Sequence, residues 1–316
     1  MTRSLSAGAI ALTAFIALPA VVPSSTTRGV SATARSVRAD STVVLLLGTG
    51  FPRPLADADG PATVVLVGSR VFLFDAGPDV MHQFAVAGLP LRGPEALFIT
   101  HLHSDHTIGL PDVMLTTWVM GRRRAIPTVG PPGLAKMVDA LATAYAEDID
   151  IRTHGLERDA ENGWRLAVRE ATSGIVYDSG GVRVTAFRVQ HGSWPTALGY
   201  RVDAPGRSIV ISGDTRPSDD IVREASGVDV LVHEVYPDSI YAAERGTRIG
   251  DTTNDYFRSF HTSDVELGRL AARANPKLLV LTHIVRMGAT DDALLRGVRA
   301  GGFTGKVVVG KDLGRY

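Results

Sequence analysis

Cysteine is absent from all 316 residues. That excludes disulfides, thiolate nucleophiles and cysteine-bound zinc together, leaving His, Asp and Glu as the side chains able to hold a metal. It also leaves the redox compartment undecided, because a chain without thiols is indifferent to it. Net charge is absent too. Lys plus Arg and Asp plus Glu number 33 each, so no global field recruits a polyanion such as RNA. Local basic character is densest at Arg122, Arg123 and Arg124, and three arginines in a row read as a solvated turn. Aromatic residues are few at 6%, but 45% of the chain is apolar and 21% charged. This composition excludes disorder and fits a soluble globular enzyme with one or two cores.

Long apolar runs are also missing, with one exception. Residues 7–22 are uncharged and mostly apolar, and they follow a positive start at Arg3. The run is short for a membrane span, which needs about 20 residues. A Pro/Ser/Thr-rich stretch and a small-x-small triplet at residues 32–34 come after it. Residues 1–40 therefore read as a signal peptide and short linker, with residues 41–316 as the folded domain. Export to the periplasm or beyond is expected, with no membrane insertion after signal removal. An N-terminal membrane anchor is the alternative, and the lack of cysteine excludes a lipoprotein.

Strand-like segments lie at residues 42–47, 62–67, 71–74 and 96–100, and helical ones at about 112–120 and 133–147. A second series has strands at 164–170, 182–189, 199–202 and 208–212. Helix 219–225, strand 228–232, helix 263–274, strand 278–281, helix 291–300 and strand 306–309 complete it. Two strand-rich halves, each followed by helices, predict two sheets packed face to face with helices outside, an αββα sandwich. No internal repeat is visible.

The strongest local signal is HLHSDH at residues 101–106, which places His101, His103, Asp105 and His106 at one strand end. On an extended strand, positions 101 and 103 project the same way, so both imidazoles can grip one ion. After a turn, Asp105 and His106 can reach a second ion at the spacing of about 3.5 to 4 Å used by two-metal hydrolases. Three imidazoles and a carboxylate confined so closely are costly to bury without a cation or extensive hydrogen bonding.

HLHSDH matches the HxHxDH hallmark of the metallo-β-lactamase superfamily, and further motifs of that superfamily follow in order. Asp75 in FDAG, His191 after the 182–189 strand, Asp214 in ISGDT and His283 in LTHI fall where the family has its remaining conserved groups. The resemblance implies two zinc ions per chain. It implies His101, His103 and His191 on one ion, Asp105, His106 and His283 on the other, Asp214 bridging, and Asp75 behind them. His82 and His154 match no motif and read as surface or core residues.

Enzymes that open the β-lactam ring lack the aspartate of GDT as a bridging ligand, which argues against a lactamase. VHEV at residues 232–235 and FHTS at 260–263 resemble motifs of the ribonuclease Z branch. There a strand-end glutamate pairs with a histidine that opens a helix, which gives Glu234 and His261 these roles. Glu234 can raise the pKa of His261, so that a cationic imidazole protonates the leaving oxygen. Asp105 would take the proton of the attacking water. His233 reads as a buried structural neighbour.

Softer matches at residues 109–112, 129–133, 197–201 and 212–217 resemble exported arylsulfatase-like proteins of the same branch. Only 22 residues separate His191 from Asp214, leaving no room there for the long tRNA-binding arm. The expectation at this point is a zinc-dependent hydrolase that cleaves an ester of an oxyacid, an aryl sulfate or a phosphodiester. Its partner would be a small-molecule ester rather than a nucleic acid, and a homodimer stays open. The alternatives are a ribonuclease Z-like 3′ tRNA-processing endoribonuclease, a lactamase and a non-catalytic metal-binding protein.

Overall fold

The apolar segment TVVLLLG is buried at almost every position and forms β1 (Thr42–Gly48), the first strand in a computed structural model that describes residues 41–239 and 253–316. The signal-peptide reading falls on residues 1–40, outside the described residues. Among those described, no helix is long and apolar enough to cross a membrane.

One sheet takes its six strands in sequence order: β1, β2 (Ala62–Val67), β3 (Arg70–Phe74), β4 (Ala96–Phe98), β5 (Ile126–Gly130) and β6 (Leu166–Glu170). The first pairings are antiparallel, and those from β3 to β6 are parallel. The second sheet comprises β7 (Gly174–Ser179), β8 (Val182–Val189), β9 (Ala197–Ala204), β10 (Arg207–Ile211), β11 (Val230–Val235), β12 (Leu278–Ile284) and β13 (Lys306–Val309). It is antiparallel from β7 to β10 and parallel from β10 to β13.

Period-2 patterning decides which side chains meet between the sheets. Val44, Phe72, Phe74 and Phe98 of the first sheet pack with Val184, Tyr200, Ile209 and Val232 of the second in one buried core. Phe74 stacks on Phe98 at 4.8 Å, and Tyr200 tilts against both. The alternate residues face outward under helices. Leu45, Leu73 and Leu97 meet α1 (Val80–Val86), α3 (Leu110–Val119) and α4 (Leu134–Ala144). Val210, Leu231 and Leu279 meet α6 (Asp219–Glu224), α8 (Asp264–Ala274) and α9 (Asp291–Ala300). The expected αββα layering is what the chain adopts.

Several elements differ from the sequence reading. β5 is absent from it because Pro127 disguises a strand; β4 pairs only with Thr128 and Val129, so Pro127 precedes that ladder. The single helix expected over 133–147 breaks at Tyr145, leaving α4 and a separate polar α5 (Ala146–His154). α1 and β7 also go unread, the first being short and the second carrying exposed polar positions. Arg123 and Arg124 are exposed as expected, but Arg122 is partly buried and donates to the Pro94 carbonyl at 2.7 Å.

Candidate metal centre

Strands β3, β4, β8 and β10 end on the same edge of the sandwich, and each releases a polar residue there: Asp75, His101, His191 and Asp214. β11 and β12 add Glu234 and His283 near their own ends. Open sheets commonly place their sites outside the carboxyl ends of their strands, where side chains converge and no ladder competes for them. A short helix, α2 (Ser104–Thr107), turns the chain directly after His103 and brings Asp105 and His106 back towards the edge.

The convergence is tight. One donor atom each from His101, His103, His191 and Asp214 lie within 4.8 Å of one another, as do those of Asp105, His106 and His283. Asp214 belongs with both groups. Its carboxylate oxygens lie 3.4 Å from Nε2 of His106 and of His283, and 3.8 and 3.9 Å from Nε2 of His101 and His191. Asp105 Oδ2 is 3.2 Å from His283 Nε2 and 3.6 Å from His106 Nε2.

Outer hydrogen bonds set which ring nitrogen faces inward. His106 Nδ1 donates to Asp75 Oδ2 at 2.8 Å, and His191 Nδ1 to the Phe260 carbonyl at 2.6 Å. His101 Nδ1 lies 3.0 Å from Thr100 Oγ1, whose own proton goes to Asp75. In each ring Nε2 is therefore the nitrogen aimed at the cluster, the one a metal ligand would offer. His103 is turned the other way: Nδ1 approaches Nε2 of His101 and His191 at 2.9 and 3.1 Å, and Trp194 Nε1 donates to its Nε2 at 2.8 Å. His106 Nε2 and Asp214 Oδ1 are buried with no hydrogen-bond partner. Orphaned buried groups are rare and costly, so two in one acidic cluster fit a divalent cation.

Electrostatics agree with the geometry. Burial drives the pKa of His191 down to about 4 and that of His101 well below the ordinary value, keeping both neutral. Burial lowers His106 as well, but the charges of Asp214 and Asp75 outweigh it and raise the group well above the ordinary range. Burial would raise Asp214, yet His283 and His106 hold it well below the carboxylate range. Opposite charges thus face each other in the cluster, Asp214 against His106 and His283.

Glu234 and His261 form the neighbouring pair. His261 Nδ1 donates to Glu234 Oε2 at 3.1 Å, while the Thr215 amide donates to Oε1 at 3.0 Å. Burial opposes charge on His261, but Glu234 overcomes it and pushes the pKa up to about 9. Burial also lifts Glu234; with the Thr215 N–H already bonded to it, the shared proton belongs on the imidazole.

His261 does not open a helix, as the sequence reading expects. It follows the end of α7 (Thr253–Phe260), its amide bonded to the Phe257 carbonyl at 2.7 Å. The next helix starts at Asp264 because Ser263 and Glu266 form a reciprocal capping box. His261 lies beside the cluster, with Nδ1 3.9 Å from Asp214 Oδ2, although Glu234 is the closer partner.

All nine candidate residues of the sequence reading meet at this edge. His82 and His154 are exposed and remote from it in contacts, His154 pairing with Asp150. His233 is buried, its Nδ1 bonded to the Glu234 carbonyl. Sequence reasoning missed Trp194, Thr215 and Phe260. Trp194, three residues after His191, was the one with a readable signal.

Residues 70–284 match the family described as the Beta-lactamase superfamily domain. Proteins named Ribonuclease Z align over nearly the whole domain. One from Mycobacterium bovis (strain BCG / Pasteur 1173P2) is 35% identical over 276 residues, covering 86% of this chain and 96% of that protein. One from Mycolicibacterium paratuberculosis (strain ATCC BAA-968 / K-10) is 37% identical over 277 residues, with the same coverage. The chain belongs to the metallo-β-lactamase superfamily, in its ribonuclease Z branch. Members of that superfamily also share its fold: human tRNase Z, short form, superposes with a TM-score of 0.66 at 22% identity, covering 87% of this chain and 98% of that one. YhfI from Bacillus subtilis gives 0.66 at 19% identity, covering 88% and 99%.

Membership makes the chain a metal-dependent hydrolase of ester bonds. It also overturns two expectations. The aryl sulfate reading, and with it a small-molecule partner to the exclusion of nucleic acid, gives way to relatives named for a ribonuclease. The short His191–Asp214 spacing is no argument against this branch, because a protein named Ribonuclease Z aligns with the chain over 96% of its own length. Zero net charge misled because it does not fix where individual charges lie.

Proposed function

We propose that this chain is an endoribonuclease that hydrolyses a phosphodiester bond in RNA, with the 3′ region of precursor tRNA as its substrate. The observation that carries this is alignment at 35–37% identity along 96% of proteins named Ribonuclease Z. The Glu234–His261 pair beside the cluster is the feature of the site that supports it.

His101, His103 and His191 would hold one zinc ion and Asp105, His106 and His283 a second, with Asp214 between them. The chemistry a divalent pair supplies there is acidification of a water and neutralisation of charge on the phosphate oxygens. Asp105, buried beside His283 and Asp214, would take the water's proton. His261 enters charged and passes a proton to the departing ribose oxygen, a step worth a factor of about 10² to 10⁴. Glu234, fixed by the Thr215 amide, holds the imidazole in place throughout.

Purified protein loaded with zinc should cut a precursor tRNA bearing a 3′ extension, lose the activity to a chelator, and regain it with zinc. Intact RNA beside turnover of an aryl sulfate would sink the proposal. Export, read from the apolar run at residues 7–22, is a separate proposal that competes with a precursor-tRNA substrate, and recovery of the natural protein with Met1 intact in the cytosol would remove it.

A further inference from the structure

Beside the cluster, a groove of about 840 Å³ opens between the loop after β8 and α7. Its size falls within the range of about 300 to 1,000 Å³ that accepts a small organic ligand. His191 is one wall, so whatever lies in the groove abuts the metal site. Trp194, Tyr256 and Phe260 supply its aromatic surface, in a chain with only 6% aromatic residues.

These rings are arranged rather than scattered. Tyr256 stacks on Phe260 with centroids 4.4 Å apart and planes 19° from parallel. Phe260 in turn meets His191 edge-on at 5.0 Å and lies against Gly192, where φ is +51° and any Cβ would sit 2.1 Å from the ring. Glycine at this position is what lets the ring settle beside the ligand histidine. Trp194 is tied to His103 by its indole N–H. Although stacked, Tyr256 keeps 44% of its surface exposed. None of this aromatic surface is used in the chemistry derived above.

Charge in the groove is mixed, its lining including Arg188 and Arg216 as well as Asp220 and Asp255. Asp220 is already matched by Arg223 at 2.5 Å. Arg188 is anchored to the Pro195 carbonyl and Arg216 to the Gln190 side chain, which fixes where their guanidinium groups lie. Aromatic shelves flanked by anchored arginines are how proteins hold unpaired nucleotides, since every base offers a π-face and every link a phosphate.

We propose that this groove holds an unpaired nucleotide adjoining the scissile phosphate, with its base stacked on the Tyr256–Phe260 shelf and its phosphate met by Arg216. The assignment rests on the ribonuclease reading. Tyr256 is a positioning residue here, and Arg216 sets register.

The test compares a precursor tRNA bearing a 3′ extension with the same RNA made abasic, one position at a time, on either side of the cleaved bond. Stacking on one ring is worth about 5- to 150-fold in affinity. Tyr256→Ala should raise Kd and KM for the intact RNA by at least about 5-fold with little change in kcat. Removing the matching base should erase most of that difference, and Tyr256→Phe should restore wild-type values. Arg216→Ala should lower the slope of log K against log salt by about 0.7. An equal Tyr256→Ala penalty on intact and abasic RNA at every position, or none on either, overturns the groove assignment while leaving RNA cleavage standing. Wild-type protein that neither binds nor cuts RNA overturns both.

Discussion

Asp75→Asn tests whether the hydrogen bonds behind the cluster decide its metal affinity. Oδ1 of Asp75 accepts from the Thr100 amide at 2.8 Å, Oδ2 accepts from His106 Nδ1 at 2.8 Å, and Thr100 Oγ1 reaches both oxygens. Asparagine has the same shape but a single accepting oxygen. It also tolerates the left-handed backbone that Asp75 adopts at φ +61°, so the local fold survives. The Thr100 amide cannot change its proton, so the amide oxygen should stay there and the new NH₂ should face His106. Two donors then oppose each other, and the ring must move its proton to Nε2, which removes the lone pair aimed at the metal. Losing a partner of this kind costs about 10- to 100-fold in metal affinity, or roughly 1.4 to 2.7 kcal/mol. Competition against a zinc-sensitive chelating dye measures it, with the melting curve of the metal-free protein as the control for folding. A variant that binds zinc within about twofold of wild type would refute the reasoning.

His261→Ala should keep its bound metal, measured by elemental analysis, yet lose turnover by about 10²-fold or more. The loss should be greater on an alkyl than on a nitrophenyl phosphodiester, because nitrophenolate leaves without help; an equal loss would assign His261 to positioning. Tyr200→Phe removes the bond from the buried hydroxyl to the Ile99 carbonyl at 2.7 Å. It should cost about 1 to 3 kcal/mol and lower Tm by roughly 2 to 10 °C, so an unchanged melting curve counts against a structural role for that bond. Asp229 is held near pKa 2 by Lys277 and by the Ser208 amide. Its pKa is depressed on folding, so its contribution is present above about pH 4 and is lost as pH falls towards 2. Acid titrations of stability for wild type and Asp229→Asn should therefore converge over that window, and parallel curves would contradict the assignment.

What could be read from the sequence was whatever obeyed a local rule. The strand at 62–67 is a continuous apolar run and that at 182–189 alternates, so both were legible residue by residue, and HLHSDH announced its chemistry through spacing alone. The failures came where tertiary context overrides local signals. Pro127 sits in a strand only because its neighbour β4 is short. His261 looks like a helix opener until Ser263 takes the cap. The substrate was misjudged for a related reason: net charge and one loop length are properties of the whole chain, whereas recognition depends on which side chains face the metal edge. Neither Trp194 against His103 nor the Phe260 carbonyl against His191 is a sequence neighbour of the group it serves beyond the loop that carries it.

The edge of β1 has a bearing on how the molecule is made. Val44 and Leu46 exchange backbone hydrogen bonds with Leu313, Gly314 and Tyr316, so the earliest described strand is covered by the last residues. The metal edge is equally spread along the chain, from Asp75 to His283. On a ribosome, translation proceeds at about 5 to 20 residues per second. The first sheet can collapse while most of its site partners are still unmade, and until His283 emerges no nascent chain carries a complete set of ligands. On the proposed ligand set, the site cannot be complete while the chain is still being made up to that point. Over the same interval β1 is an open edge able to pair with a neighbouring chain, which makes it the place where misassembly of a truncated product would begin.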